Sequence, residues 1–173
     1  SPSTTEPWNA PTTLWGDPDH QGIWNTSTTT PLERPAELAG KEFFTETHGR
    51  GVYEITDQVA EITKEAQVET GLCHIFICHT SASLILCENA DPAVQTDLET
   101  FIASLVLDGD PEYRHTSEGS DDMAAHIRTV LTHSDLTIPL RKGQLLLGTW
   151  QGIYLWEHRK QPHRRRTIIT IRD

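Results

Sequence analysis

The stretch from Leu72 to Glu88 constrains the fold more than any other: Leu72 to His79 and Ser83 to Glu88 read as two apolar strands, joined by a short turn that begins at Thr80. The first is dense in Ile and Phe and does not alternate cleanly between apolar and polar residues. That is the pattern of a strand covered on both faces, so a layered core must form around the pair. Polar side chains are concentrated where the strands end, in His79-Thr80-Ser81 and in Glu88-Asn89. Chemistry is expected at those edges.

The flanking sequence supplies the other layers. Glu42 to Thr47 and Gly51 to Ile55 read as a hairpin around His48-Gly49-Arg50. Thr56 or Asp57 is placed to cap a helix with Val59, Ile62 and Ala66 on its apolar face, ending near Thr70-Gly71. Asp91-Pro92 is a second helix start, since Asp accepts from free amides and Pro fits the first turn; Val94, Leu98, Phe101, Ile102 and Leu105 would form its buried face. A polar passage from Asp108 to Asp122 precedes a short helix at about Met123 to Leu131, which Asp121 or Asp122 would cap. Leu136–Leu140, Gln144–Leu147 leading through Gly148–Gly152 into Ile153–Glu157, and Arg166–Ile171 complete the strands. Strand runs broken by two or three helices predict an α+β domain and not a regularly alternating parallel sheet.

Residues 1–39 differ in kind. They are rich in Ser, Thr and Pro, carry Trp8, Trp15 and Trp24, and show no period of either structure, which reads as an N-terminal extension. Its tryptophans would seek apolar surface on the domain or on a neighbouring subunit. The formal net charge of -11 argues against nucleic acid and anionic membrane as partners, and no apolar run is long enough to cross a bilayer. A soluble, cytoplasmic protein with a small-molecule substrate is expected. Cys73, Cys78 and Cys87 lie in strand-like sequence without Cys-x-x-Cys spacing and read as reduced, buried thiols.

Three histidines come from different elements: His79 at a strand end, His115 in the polar passage and His126 on the helix after it. Imidazoles converging with one position left open are what a catalytic zinc ion needs, although a single histidine is more often a hydrogen-bonded structural residue. Glu88 and Asp91, with Glu118, Asp121 and Asp122 of the polar passage, are candidate bases or partners of a ligand imidazole, helix capping being the competing role of the aspartates. Glu88 stands out because it follows an apolar run in which an unpaired charge would be costly to bury. Gly148-Thr149-Trp150-Gln151-Gly152 interrupts a strand, as a bulge or as a place where backbone approaches a ligand. Arg159 and Arg164-Arg165-Arg166 offer planar forks for phosphate, or simply a solvated strand edge. Ser81 and Ser83 lack the Gly-x-Ser-x-Gly elbow of a nucleophile.

Taken together, His79-Thr-Ser-Ala-Ser-Leu, Glu88-Asn-Ala-Asp-Pro, Tyr113-Arg-His115, Glu118-Gly-Ser-Asp-Asp-Met, Ala125-His126-Ile and Gly148-Thr-Trp-Gln-Gly-Ile-Tyr-Leu-Trp-Glu-His-Arg159 resemble, in order, the motifs of the YjbQ family. The resemblance runs from Gly40 to Asp173. It implies a compact α+β domain of packed, mostly antiparallel β-sheets over residues 40–173, a homotrimer, and a histidine cluster of His79, His115 and His126 as metal ligands. It also implies secondary thiamine-phosphate synthase activity, in which hydroxymethylpyrimidine diphosphate condenses with thiazole phosphate and diphosphate leaves. On that reading Glu88, Asn89 and Glu118 serve catalysis, and Trp150, Gln151 and Arg159 bind substrate. Imidazole ligands favour Zn²⁺ over Mg²⁺, which prefers oxygen, so metal-dependent hydrolysis of a small phosphorylated or carbonyl substrate is the competing activity. A noncatalytic trimer that binds a metal or metabolite is the third.

Overall fold

The computed structural model describes residues 40–173. The expectation for the tryptophan-bearing arm falls outside these residues. The elements in order are β1 (Lys41–Glu46), β2 (Gly51–Glu54), α1 (Thr56–Glu65), β3 (Thr70–Ile77), β4 (Ala82–Glu88), α2 (Pro92–Leu105), α3 (Asp122–Leu131), β5 (Asp135–Arg141), β6 (Gln144–Leu145), β7 (Gln151–Glu157) and β8 (Arg164–Arg172). They form a five-stranded sheet, β1-β8-β3-β5-β6, and a three-stranded sheet, β2-β7-β4. Every strand pairing is antiparallel, and the α+β class is as expected.

The expected hairpin of β1 and β2 does not form. β1 pairs with β8 and β2 pairs with β7, so the chain passes from one sheet to the other at His48-Gly49-Arg50. Gly49 has a φ of 125°, and a Cβ there would lie 2.7 Å from Lys160 O, so glycine makes the crossing possible. β3 and β4 are likewise in different sheets, as are β7 and β8. Register puts all three crossings at one end: Glu46 faces Arg164, Ile77 faces Thr167, and both Gly51 and Ala82 face Glu157.

Between the sheets lie Cys73, Ile75, Ile77, Ile138, Leu140 and Ile169 from the larger and Ala82, Leu84, Ile153 and Leu155 from the smaller. Full burial of such a side chain is worth about 1.5–3 kcal/mol. α1 adds Ile55 and Val59 to this core. Its Thr56 does not cap the helix: Thr56 Oγ1 accepts from Ile153 N at 2.9 Å instead, and Ile55 takes the N-cap position. The helix ends before Gln67, which has a φ of 55°, and Thr70-Gly71 already belong to β3.

α2 begins as predicted, with Asp91 accepting from Ala93 N at 2.9 Å and Pro92 in the first turn. Its apolar face is another matter. Ile102 is buried and Val94 and Leu98 half-buried, but Phe101 is 65% and Leu105 59% exposed. A polar contact anchors the helix instead, since Trp156 Nε1 donates to Glu99 Oε2 at 2.7 Å. No helix among the described residues is long and apolar enough to cross a membrane.

Candidate metal centre at the sheet-crossing end

Strand parity carries the core into a polar cluster. Side chains two residues apart share a face, so Ile153 and Leu155 lead to Glu157, and Ile169 and Thr167 lead to Arg165. Glu157 and Arg165 are both 0% exposed. Buried charges must be paired, and these are: Arg165 Nε donates to Glu157 Oε2 at 2.6 Å while Nη2 reaches Oε1. Thr47 Oγ1 and Arg159 N donate to the same carboxylate at 2.9 and 3.0 Å. The arginine run is therefore split: Arg165 points inward, whereas Arg164 and Arg166 are exposed beside Glu46 and Glu42 of β1.

α3 lies over the crossing between β3 and β4. Leu84 N donates to His133 O at 2.7 Å, and His126 Nδ1 donates to Thr80 O at 2.8 Å. One turn earlier is Asp122, 2% exposed. His126 Nε2 is 3.3 Å from Asp122 Oδ2, and His115 Nε2 is 2.8 Å from the same oxygen. The other oxygen, Oδ1, takes Arg159 Nη1. The long loop is drawn in at its base, where Gly109 N donates to Ser120 O at 2.7 Å. Asp108 there binds Arg50, Arg128 and Lys160, which outweigh burial and hold its carboxyl below the ordinary value.

Asp121 and Asp122 begin α3 but do not cap it with their side chains. Arg159 claims them instead. Its Nε donates to Asp121 Oδ2 at 3.2 Å and its Nη2 to Glu118 O at 2.7 Å. Burial raises the Asp121 carboxyl, but the Lys160 amide and Arg159 outweigh it and hold the group low.

Among the described residues, the ligand atoms of His115, Asp122 and His126 lie within 4.8 Å of one another. The two imidazole centroids are 5.5 Å apart. Two imidazoles on one ion with metal–nitrogen distances of about 2.0–2.1 Å sit about 5 Å apart, so the spacing fits co-ligation. His79 is outside this group. Its ring stands edge-on to His163, with centroids 6.4 Å apart, and its Nδ1 faces Ser81. Partial desolvation holds the His79 imidazole below its usual range; Arg165 and the neighbouring histidines push the same way, and Glu157 opposes them.

The remaining expected site residues divide. Glu118 is exposed and reaches the cluster through its backbone carbonyl. Arg159 is buried, with all of its donor nitrogens engaged. Glu88, Asn89, Trp150 and Gln151 are at the opposite end of β4 and β7, where Glu88 faces Gln151 and Asn89 N donates to Trp150 O at 3.0 Å. Seven residues of strand put them about 20 Å from the histidines of the same chain. Glu88 is exposed, so the cost of burying its charge does not arise. Gly152 makes room for the Tyr154 ring, which a Cβ would meet at 2.8 Å, and Gly148 N is tied to Gln151 Oε1. Cys73 and Cys87 are buried, with thiols pushed up by burial, and Cys78 is half-buried; all are free.

The sequence offers Asp122 as an imidazole partner or a cap and Arg165 as a phosphate fork, whereas Ser81, Glu157 and His163 are not among the expected site residues. Glu157 and Arg165 did carry a signal, as charges at core-parity positions of apolar strands. Residues 41–173 match the family described as UPF0047 protein YjbQ-like. A UPF0047 protein of Synechocystis sp. is 49% identical over 125 residues, covering 72% of this chain and 85% of that protein. The YjbQ protein of Salmonella typhimurium is 45% identical over 123 residues, covering 70% of this chain and 88% of its own length. Among solved structures, an uncharacterized YjbQ/UPF0047 protein of Clostridium acetobutylicum superposes with a TM-score of 0.70 at 32% identity, covering 76% of this chain and 99% of that one. A conserved hypothetical protein of Thermus thermophilus gives 0.68 at 32% identity, over 76% and 99% of the two chains. The chain belongs to the YjbQ (UPF0047) family.

Proposed function

We propose that this chain is a divalent-metal enzyme in which His115, Asp122 and His126 hold the ion, and that it hydrolyses a small phosphorylated or carbonyl substrate. One observation carries the reading. Thr80 O can only accept, so His126 Nδ1 bears the proton of the neutral ring and Nε2 presents a lone pair to Asp122 Oδ2 at 3.3 Å. Two acceptors facing each other repel unless a proton or a cation lies between them. Two imidazoles and a carboxylate form a donor set typical of zinc hydrolases, and the Asp122–Arg159 and His126–Thr80 bonds resemble the outer contacts that orient such ligands. A bound ion would polarise a substrate oxygen and lower the pKa of a water there.

Arg159 is committed to Asp121, Asp122 and Glu118 O, so it is not free to meet a departing diphosphate. That weighs towards hydrolysis over the thiamine-phosphate synthase reaction. The exposed Phe101, Leu105, Leu107, Val130 and Leu131, at the adjoining ends of α2 and α3, support a self-associating protein and the trimer reading. Elemental analysis of untagged protein tests the ion. A panel of phosphate monoesters and carboxylic esters, together with the two thiamine precursors, tests the reaction. Substoichiometric metal after zinc loading would sink the proposal.

A further inference from the structure

Ser81 closes on His79 from two directions. Its backbone N–H donates to His79 Nδ1 at 3.2 Å, and its hydroxyl lies 3.1 Å from the same nitrogen. The hydroxyl is oriented from behind, because Arg165 Nη2 donates to Ser81 Oγ at 3.1 Å and leaves the hydroxyl proton for His79. Ser81, Arg165 and Glu157 are at most 1% exposed, so water does not compete for these bonds. A nitrogen that accepts from an N–H carries no proton of its own, and the neutral His79 ring therefore keeps its proton on Nε2.

The neighbouring imidazoles are set the other way. His126 Nδ1 and His163 Nδ1 each lie 2.8 Å from a backbone carbonyl, Thr80 O and Gln161 O, so each keeps its proton on Nδ1 and a lone pair on Nε2. At this end of the fold, His126 and His163 are built to accept or to ligate through Nε2. His79 is built to donate.

We propose that His79 donates a hydrogen bond through Nε2 to a phosphoryl or other anionic oxygen of the ligand, rather than binding the ion, and that Ser81 is the positioning residue that fixes its tautomer. The identity of the ligand rests on the metal-enzyme reading above; the tautomer does not. A neutral imidazole used as an electrophile stabilises an oxyanion without transferring its proton. Glu157, Arg165 and Ser81 thus form a buried relay that anchors the ring from the protein side.

Long-range ¹H–¹⁵N correlation of the imidazoles in the full chain tests this. Zinc-free protein should show His79 protonated on Nε2, with His126 and His163 protonated on Nδ1. Zinc should shift the ¹⁵N signals of His115 and His126 while His79 keeps its tautomer. Phenylphosphonate, added to the zinc-loaded protein, should move the His79 Nε2 proton downfield. Ser81→Ala keeps the residue 81 N–H and loses only the hydroxyl, so His79 should stay mainly protonated on Nε2 with a minor Nδ1–H population appearing, and Ser81→Thr should remove that population. A His79 proton on Nδ1, zinc coordination shifts at His79 Nε2, or no response to phenylphosphonate overturns the donor role. The absence of any Nδ1–H population in Ser81→Ala overturns the role of the Ser81 hydroxyl. If zinc moves none of the rings, the metal reading fails by itself, and the phenylphosphonate titration of zinc-free protein still decides the donor.

Discussion

Arg165 and Glu157 meet between the sheets with neither side chain exposed, Arg165 Nε standing 2.6 Å from Glu157 Oε2. Both occupy positions that strand parity would give to apolar residues. Losing one partner leaves a buried charge with no counterion, at a cost of about 3–5 kcal/mol. Glu157→Leu and Arg165→Met should each lower the unfolding free energy measured in urea by that order. The double replacement Glu157→Leu with Arg165→Met should recover much of the loss, because no charge is then stranded. Strictly additive losses in the cycle would show that the two residues do not act as a pair.

His158 sets a pH limit on the same end of the fold. It is 0% exposed, and burial pushes its imidazole down to about 3, with Arg128, Arg50 and Arg165 adding to the effect. In the unfolded chain histidine titrates near about 6.5. Between these values the unfolded state binds a proton that the folded state does not, so stability rises with pH. The contribution is complete above about pH 6.5 and is lost as pH falls towards about 3, at up to about 1.4 kcal/mol per unit. Urea unfolding at pH 4.5, 5.5 and 7 should show this slope, and His158→Gln should flatten it. Asp108 and Asp121 act with the same sign below about pH 4, where their unfolded forms protonate.

The proposed zinc centre predicts an order of effects. Asp122→Asn and His126→Ala remove donors from the group, and each should weaken zinc affinity by at least about 100-fold, the upper end of what loss of an outer contact costs. Thr80 and Arg159 orient those donors, so Arg159→Met should weaken affinity by about 10–100-fold. Competition against a chromophoric chelator measures all three. Equal affinities across the series would remove Asp122 from the centre.

The sequence made some of this readable. The apolar runs of β3 and β4 located two core strands, and Asp91-Pro92 marked the start of α2 to the residue, but β3 is covered on one face only, since Leu72 and Phe76 are 51% and 42% exposed. Strand partners were not readable, because His48-Gly49-Arg50 suits a hairpin turn and a sheet crossing equally well; the choice depends on β7 and β8, far along the chain. His115 and His126 were singled out by residue type and do come together. Asp122 was left between two roles, because an acid at a helix start reads as a cap as readily as an imidazole partner. Only the tertiary approach of Arg159 and His115 decides between them. The exposed Phe101 and Leu105 were misplaced for a related reason: periodicity identifies an apolar face without saying whether the same chain covers it.

Glu88 and Trp150 provide the sharpest separation between the two ends of the molecule. Glu88 closes β4 and Trp150 precedes β7, and both are exposed at the end away from the histidines. Across about 20 Å of water and protein, a single charge has little leverage on ligand affinity, since the screening length is about 8 Å at physiological salt. Glu88→Gln and Trp150→Ala should therefore leave zinc affinity within about two-fold and, as exposed positions, change stability by no more than about 0.5 kcal/mol. Turnover of whichever substrate the panel identifies is the discriminating readout. Lost turnover with intact zinc affinity would place Glu88 and Trp150 against substrate from a neighbouring copy, because a chain's own pair cannot reach its own histidines. Unchanged turnover would remove both from the site, leaving the sheet-crossing end to carry the chemistry.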